Sequence, residues 1–269
     1  MNRTGARSLV GAALALALVS ARVAAQGTTS WWPRTATVLL AGGGLRGKTA
    51  DDLALRLIAL AGGPQAHIVI IPTANPTFDA NDLRFYFDSL GARHVTILHA
   101  KDRTEANSEE LAHIVRSANA VFMTGGKFQI LETTYRGTLI QRELQAVLDR
   151  GGVLAGDAEG ATAIGCVWLS TTDDGYDKRG DDLCLLPQVA VSTHVNRAQG
   201  FSIDEEVLKY ASAHAGTIGI DIDENTVLIV TKSTAEVIGM GNVSFIDAAR
   251  DAKQPYLRLS TGQRHDLAR

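Results

Sequence analysis

From residue 37 onward the chain alternates unbroken apolar runs with amphipathic segments. TVLLAGG (37–43), HIVIIPT (67–73), HVTILHA (94–100), NAVFMTGG (119–126) and VLAGDA (153–158) read as strands. Between them, ADDLALRLIALAGG (50–63) places Leu53, Leu55, Leu57, Ile58 and Leu60 near helical spacing, and two glycines stop it. A second amphipathic segment carries Leu83, Tyr86, Phe87 and Leu90, and SEELAHIVRSA (108–118) and QRELQAVLDRGG (141–152) are also helix-like. Strands without polar alternation are buried on both faces, which means a mostly parallel sheet covered by helices. The right-handed crossover rule then makes a doubly wound α/β sheet the economical topology.

The last third changes character. GTIGIDID, NTVLIVT, AEVIGM and NVSFIDA are short strands at close spacing. They predict an antiparallel or mixed C-terminal extension of the same sheet. The polar stretch TDDGYDKRGDDLC (172–184) reads as a loop. No internal repeat or low-complexity linker is apparent.

The N-terminus stands outside this pattern. Arg3 and Arg7 precede the apolar run GAALALALV, and Val23-Ala24-Ala25 offers small residues before Gln26. This is the form of a secretory signal peptide over 1–25, too short for a membrane span. Residues 26–36 then form a linker, with Trp31 and Trp32 as an N-terminal strand contact, and 37–269 a single α/β domain. The expected product is secreted or periplasmic, with no membrane partner after signal removal. About 245 residues can bury a sizeable core. A net charge of -3 without a basic stripe argues against nucleic acid. Cys166 and Cys184 either pair in an oxidising compartment or remain two buried thiols, and spacing alone does not decide.

Two glycine motifs carry candidate chemistry. Gly42 to Gly47 matches G-x-G-x-x-G after a strand, yet the next strand ends in Ile71-Pro72-Thr73-Ala74-Asn75 without the acidic residue a dinucleotide ribose needs. No cofactor is expected from it. GGVLAGDAEGATAIG (151–165) has the strand, sharp turn and helix of a nucleophile elbow, with Gly156 and Gly160 in place and Ala158 at the centre. The backbone N–H of Glu159 would point at an oxyanion, and the glycine loop at Gly125-Gly126 can add a donor. Neither the seven histidines nor the Asp157/Glu159 pair shows metal-ligand spacing, so no metal is expected.

An ordered set of segments carries a family resemblance: GGG (42–44), LAGG (60–63), IVIIPTA (68–74), MTGGKFQILE (123–132), AGDAEGA (155–161), STHV (192–195), GIDIDENT (219–226) and EVIGMGNVSFID (236–247). Together they resemble cyanophycinase and its relatives in serine peptidase family S51, with aspartyl dipeptidase as a near cousin. The resemblance implies a class I glutamine-amidotransferase-like fold and commonly a homodimer. It also implies a serine in an AGTSAGA-like elbow, a histidine in a DQHF-like segment and a downstream glutamate. By position these fall on Ala158, His194 and Glu224. In such a triad the serine attacks, the histidine moves its proton, and the acid orients the imidazole.

The departures cluster at the same place. Ala158 cannot act as nucleophile, and Asp157 and Glu159 stand where the resembled family has small neutral residues. Phe128 replaces the glutamine of a substrate-contacting GG-x-Q segment, with Gln129 adjacent, and Ser192-Thr193 replace Asp-Gln. Arg197 resembles arginines that hold acidic substrate groups. Three expectations follow. The chain binds a peptide or small acidic ligand without hydrolysing it, hydrolyses aspartyl peptide or isopeptide bonds with a carboxylate-activated water, or serves as an interaction scaffold with a vestigial pocket. Glu159 faces that pocket, or caps the helix that follows it.

Overall fold

A computed structural model of the chain describes residues 32, 36–166, 168–172, 175–179, 183–195, 205–214, 216–247 and 256–267. The segment 1–25, expected as a signal peptide, and Trp31 and Arg197 lie outside the described residues. The chain divides into Met1–Ser30 and Trp31–Arg269, and every described residue belongs to the second unit. No helix among the described residues is long and apolar enough to cross a membrane.

Strands and helices alternate through the first half, as the apolar pattern predicts. β1 (Thr37–Ala41) leads to α1 (Lys48–Leu60), β2 (His67–Ile71), α2 (Asn81–Ser89) and β3 (His94–Ile97). After α3 (Arg103–Ala106) and α4 (Glu109–Ser117) come β4 (Ala120–Met123), α5 (Phe128–Tyr135), α6 (Leu139–Asp149), β5 (Val153–Asp157) and α7 (Glu159–Ile164). The second half holds β6 (Trp168–Thr172), β7 (Gly175–Arg179), β8 (Val189–Val195), α8 (Glu205–Ala213), β9 (Ile218–Asp223) and β10 (Thr226–Thr231). It closes with β11 (Thr234–Gly239), β12 (Asn242–Asp247), β13 (Tyr256–Ser260) and β14 (Arg264–Asp266).

The main sheet runs β14-β11-β10-β1-β5-β4-β2-β3. Its β1-β5-β4-β2-β3 half is parallel, and β10, β11 and β14 extend it antiparallel. Both faces are buried. Leu39, Ile68, Ile70 and Phe122 pack with Leu53, Leu57 and Phe87 of α1 and α2 on one side. Val38, Leu40, Val69 and Met123 pack with helices α4 to α7 on the other. The helices begin where local chemistry satisfies their first amides: Asp102, Ser108 and Thr138 accept from the opening turns of α3, α4 and α6.

Three details differ from the sequence pattern. Leu55 lies on the exposed side of α1, because Thr49, Leu53, Ala54, Leu57 and Ile58 form its buried stripe. The C-terminal strands divide: β8, β9, β12 and β13 make a separate four-stranded sheet, whose Ile220, Ile222, Val243 and Phe245 join one core cluster. Finally, 172–184 is not wholly loop, since β6 and β7 pair antiparallel. Its charged composition hides a strand that needs backbone pairing rather than an apolar face.

One topological feature positions the site. From adjacent strands β1 and β5, α1 departs to one face of the sheet and α7 to the other. The carboxyl ends of two such strands open a crevice, the usual ligand position in a doubly wound sheet.

Candidate functional site

The β5–α7 junction is a tight elbow. Ala158 adopts φ 49° and ψ -120°, a conformation that costs a non-glycine residue strain. Its N–H donates to the carbonyl of Ala41 (3.0 Å), while its own carbonyl accepts from Ala161 and Thr162 (2.9 and 3.1 Å). The flanking glycines are steric necessities. A Cβ on Gly160 would lie 2.2 Å from the Met123 carbonyl oxygen, and one on Gly156 would lie 2.5 Å from the α7 backbone. The elbow therefore crosses the sheet end at backbone contact, and its apex presents a methyl group.

His194 reaches the same crevice from the second sheet. The β8–β9 pairing is irregular between Ser192 and Val195, and His194 takes φ 57° there. Such a bulge re-aims one side chain. The His194 N–H donates to the Gly42 carbonyl (2.8 Å), and the imidazole lies over Gly43, where any Cβ would come within 2.2–2.8 Å of the ring. Its Nδ1 is 3.0 Å from Oε1 of Glu224, in the β9–β10 turn. Asn225 beside it donates its N–H to the Gly43 carbonyl (2.8 Å) and accepts the Arg46 N–H at Oδ1 (3.0 Å). Within the G-x-G-x-x-G match, Gly43 thus makes room for the imidazole and Gly42 for the crossing Ile222–Asp223 backbone.

Glu159 does not cap α7. Its Oε2 accepts the backbone N–H of Gly126 across the crevice (2.9 Å). Gly125 runs so near the elbow that a Cβ there would stand 2.9 Å from the Ala158 Cβ and 3.3 Å from Glu159 Oε2. The Gly126 amide, one of the candidate loop donors to an oxyanion, already holds a carboxylate. Beneath it, Asp157 is mostly buried and its Oδ1 has no hydrogen-bond partner. Burial pushes its carboxyl up to about 6, against the opposing pull of His194 and the Gly43 amide, with Glu159 pushing in the same direction as burial.

Asp157, Ala158, Glu159 and His194 share one cavity of about 460 Å³ with Gly125 and Gly126. Phe128 and Gln129 do not line it. α5 begins at Phe128 and turns its ring into the core at 2 % exposure, leaving Gln129 on the solvent side. A substrate contact by Phe128 is corrected on that ground. The far wall, for which the sequence suggested no site residues, is built from Leu53, Phe78, Leu83, Tyr86, Phe87 and Phe122. Its only signal was an amphipathic α2 carrying more aromatic residues than a covering helix needs.

Other residues fall away from the crevice. His67 meets Thr96 and Ser117, His94 meets Gln65, and His99 meets Thr73. Among the described residues no group of three or more His, Cys, Asp or Glu side chains is placed to hold a metal. Cys166 and Cys184 form a disulfide that ties the end of α7 to the segment before β8.

Comparison with known proteins gives concordant matches. The family model described as Peptidase family S51 matches residues 37–238. A cyanophycinase of Geminocystis herdmanii is 28% identical over 221 residues, covering 78% of this chain and 80% of the relative. A cyanophycinase of Synechococcus elongatus is 29% identical over 197 residues, covering 70% of this chain but 60% of that relative. The crystal structure of a peptidase from an acI-B1 Actinobacterium superposes with a TM-score of 0.65 at 21% identity, over 86% of this chain and 96% of that one.

Proposed function

Because the chain belongs to peptidase family S51, we propose that it is an exported member that binds a peptide in the elbow pocket without serine-type hydrolysis. One observation carries this reading: the residue at the strained apex of the elbow is Ala158. An acyl-enzyme needs an oxygen or sulfur lone pair there, and a methyl has none. Glu159 works in the same direction. A carboxylate on the Gly126 amide uses a donor and sets negative charge where a tetrahedral intermediate would develop its own.

The vestigial-scaffold reading is less favoured. Ala158 and His194 both hold positive φ, each at a cost of order 1–3 kcal/mol. The His194–Glu224 pair is about half exposed and repays little of that. Strain kept without a stabilising return supports a site in use over a vestigial one. Hydrolysis by activated water has one observation in its favour, the Asp157 carboxyl held near 6 beside His194. The Cys166–Cys184 bond accords with an oxidising compartment and so with export.

The test compares wild type, Ala158→Ser and Ala158→Ser/Glu159→Ala on β-aspartyl-arginine polymer and aspartyl dipeptides. Wild type is expected to show no turnover and no labelling by a fluorophosphonate, whereas the double variant gains both. Wild-type turnover matching the serine variants would overturn the reading, and would point to activated water instead.

A further inference from the structure

The cavity has two chemically distinct ends. At the elbow end its charged lining, among the described residues, consists of Asp157, Glu159 and His194, with no Lys or Arg. The other end is an apolar chamber between α1, α2 and the sheet. Leu53, Phe87 and Phe122 form its floor, each buried, and Leu83 and Tyr86 flank it. Phe78 stands at the mouth, 39% exposed. The Tyr86 hydroxyl is turned outward and donates to Asp51 (2.5 Å), so the ring offers the chamber its carbon face. A volume of about 460 Å³ lies within the ~300–1,000 Å³ range of small-ligand pockets.

From this division we infer that the chamber is a specificity pocket for an apolar group carrying an ammonium. A leucine- or phenylalanine-sized side chain would lie among Leu53, Leu83, Phe87 and Phe122, and a free amino group would sit against the Glu159 carboxylate. The inference rests on the reading that the elbow cavity is the ligand site, and narrows its ligand class. Glu159 spends one acceptor position on Gly126, and an ionised carboxylate has about four. An ammonium can therefore join without displacing the loop. An acidic head group would instead meet two carboxylates with no Lys or Arg among the described lining residues. An unfilled chamber leaves apolar walls wet, so the side chain gains area removed from water on binding. A peptide N-terminus and a free apolar amine share this chemistry.

The experiment is calorimetric titration of the disulfide-bonded protein with leucinamide, phenylalaninamide, alaninamide, aspartamide, N-acetyl-leucinamide, Leu-Gly-Gly and isopentylamine. Leucinamide and phenylalaninamide are expected to bind about 10- to 100-fold more tightly than alaninamide, the return on burying one such side chain. N-acetylation and Glu159→Gln should each weaken binding at least about tenfold. Ala50→Phe, which fills the chamber from a half-buried position on α1, should abolish binding with the melting temperature preserved. Tighter Leu-Gly-Gly binding would assign the site to peptide N-termini, and tighter isopentylamine binding to free amines. Equal binding of leucinamide and its acetyl form, or of alaninamide and leucinamide, overturns the inference, as does binding indifferent to Ala50→Phe. Binding of aspartyl dipeptides that Ala50→Phe spares, with leucinamide silent, overturns the apolar pocket and leaves the elbow-site reading standing. Leucyl peptides that bind and are hydrolysed by wild type would do the reverse.

Discussion

Replacing Asp157 by asparagine should make the protein more stable at neutral pH and remove a titration from its stability profile. The carboxyl is mostly buried at the foot of the elbow, one oxygen has no partner, and burial raises its pKa from 3.8 to about 6. A raised folded-state pKa means the native protein binds the proton more tightly than the unfolded chain. The group's contribution is therefore fully present below about pH 4 and is lost as pH rises through about 6. Each pKa unit is worth about 1.4 kcal/mol, so at pH 8 the ionised carboxylate costs about 3 kcal/mol relative to its acid form. Asparagine keeps the shape and cannot ionise. Urea unfolding of both proteins from pH 4 to pH 8 reads the effect directly. The stability of Asp157→Asn relative to wild type should rise by about 2–3 kcal/mol across that range, mostly between pH 4.5 and 7. A difference constant within 0.5 kcal/mol would refute the reasoning, because a solvated or fully paired carboxyl is the only source of a flat profile.

Three further outcomes follow from the same geometry. Ala158→Gly should range from neutral to a gain of about 1 kcal/mol, because relief of the positive φ offsets the lost methyl and the added chain entropy. Ala155→Gly, three residues earlier within β5 and without positive φ, should lose about 1 kcal/mol or more in the same thermal melt, and equal losses at both sites would deny the strain. Gly43→Ala should dislodge His194, since the new Cβ falls 2.2 Å from the imidazole and φ is +87°. NMR of the His194 ring should then show loss of the Glu224 contact, and an unchanged spectrum would contradict the packing. Removing the Cys166–Cys184 bond as a double serine variant should cost about 3 kcal/mol for an 18-residue separation, read as a lowered urea midpoint, and an unmoved midpoint would deny it a stabilising role.

What the sequence revealed depended on whether a residue's neighbours were local. The parallel half was legible because a strand buried on both faces needs continuous apolar residues, and TVLLA, HIVII, AVFM and VLAGD have little polar alternation. The elbow was legible for a similar reason, since Gly156 and Gly160 answer clashes within a few residues or one strand away. The β6–β7 pair was missed because its pairing is carried by backbone, with no apolar period to announce it. The disulfide was undecided because its geometry depends on how 166 and 184 are brought together. Phe128 was misplaced because a motif position was read as a pocket position, whereas helical phase points its ring inward. The orientation of Glu159 could not be read at all: one helix N-terminus and one loop amide were both within a side chain's reach.

Phe128 and Glu159 bear on how the site works. With Phe128 in the core, the loop after β4 presents backbone to the crevice rather than a substrate-reading side chain, and its Gly126 amide is held by Glu159. The elbow, the loop and the imidazole are thus mutually braced: Ala158 on Ala41, Glu159 on Gly126, His194 on Gly42 and Glu224. On the proposed reading, an oxyanion that needed the Gly126 amide would have to displace Glu159 from this acidic rim. The rim can receive a cation without losing any of its own contacts. On the same reading, Ala158 and Glu159 disfavour an acyl-enzyme while leaving the pocket organised for binding, and the strain at Ala158 and His194 is the cost of holding that rim in place.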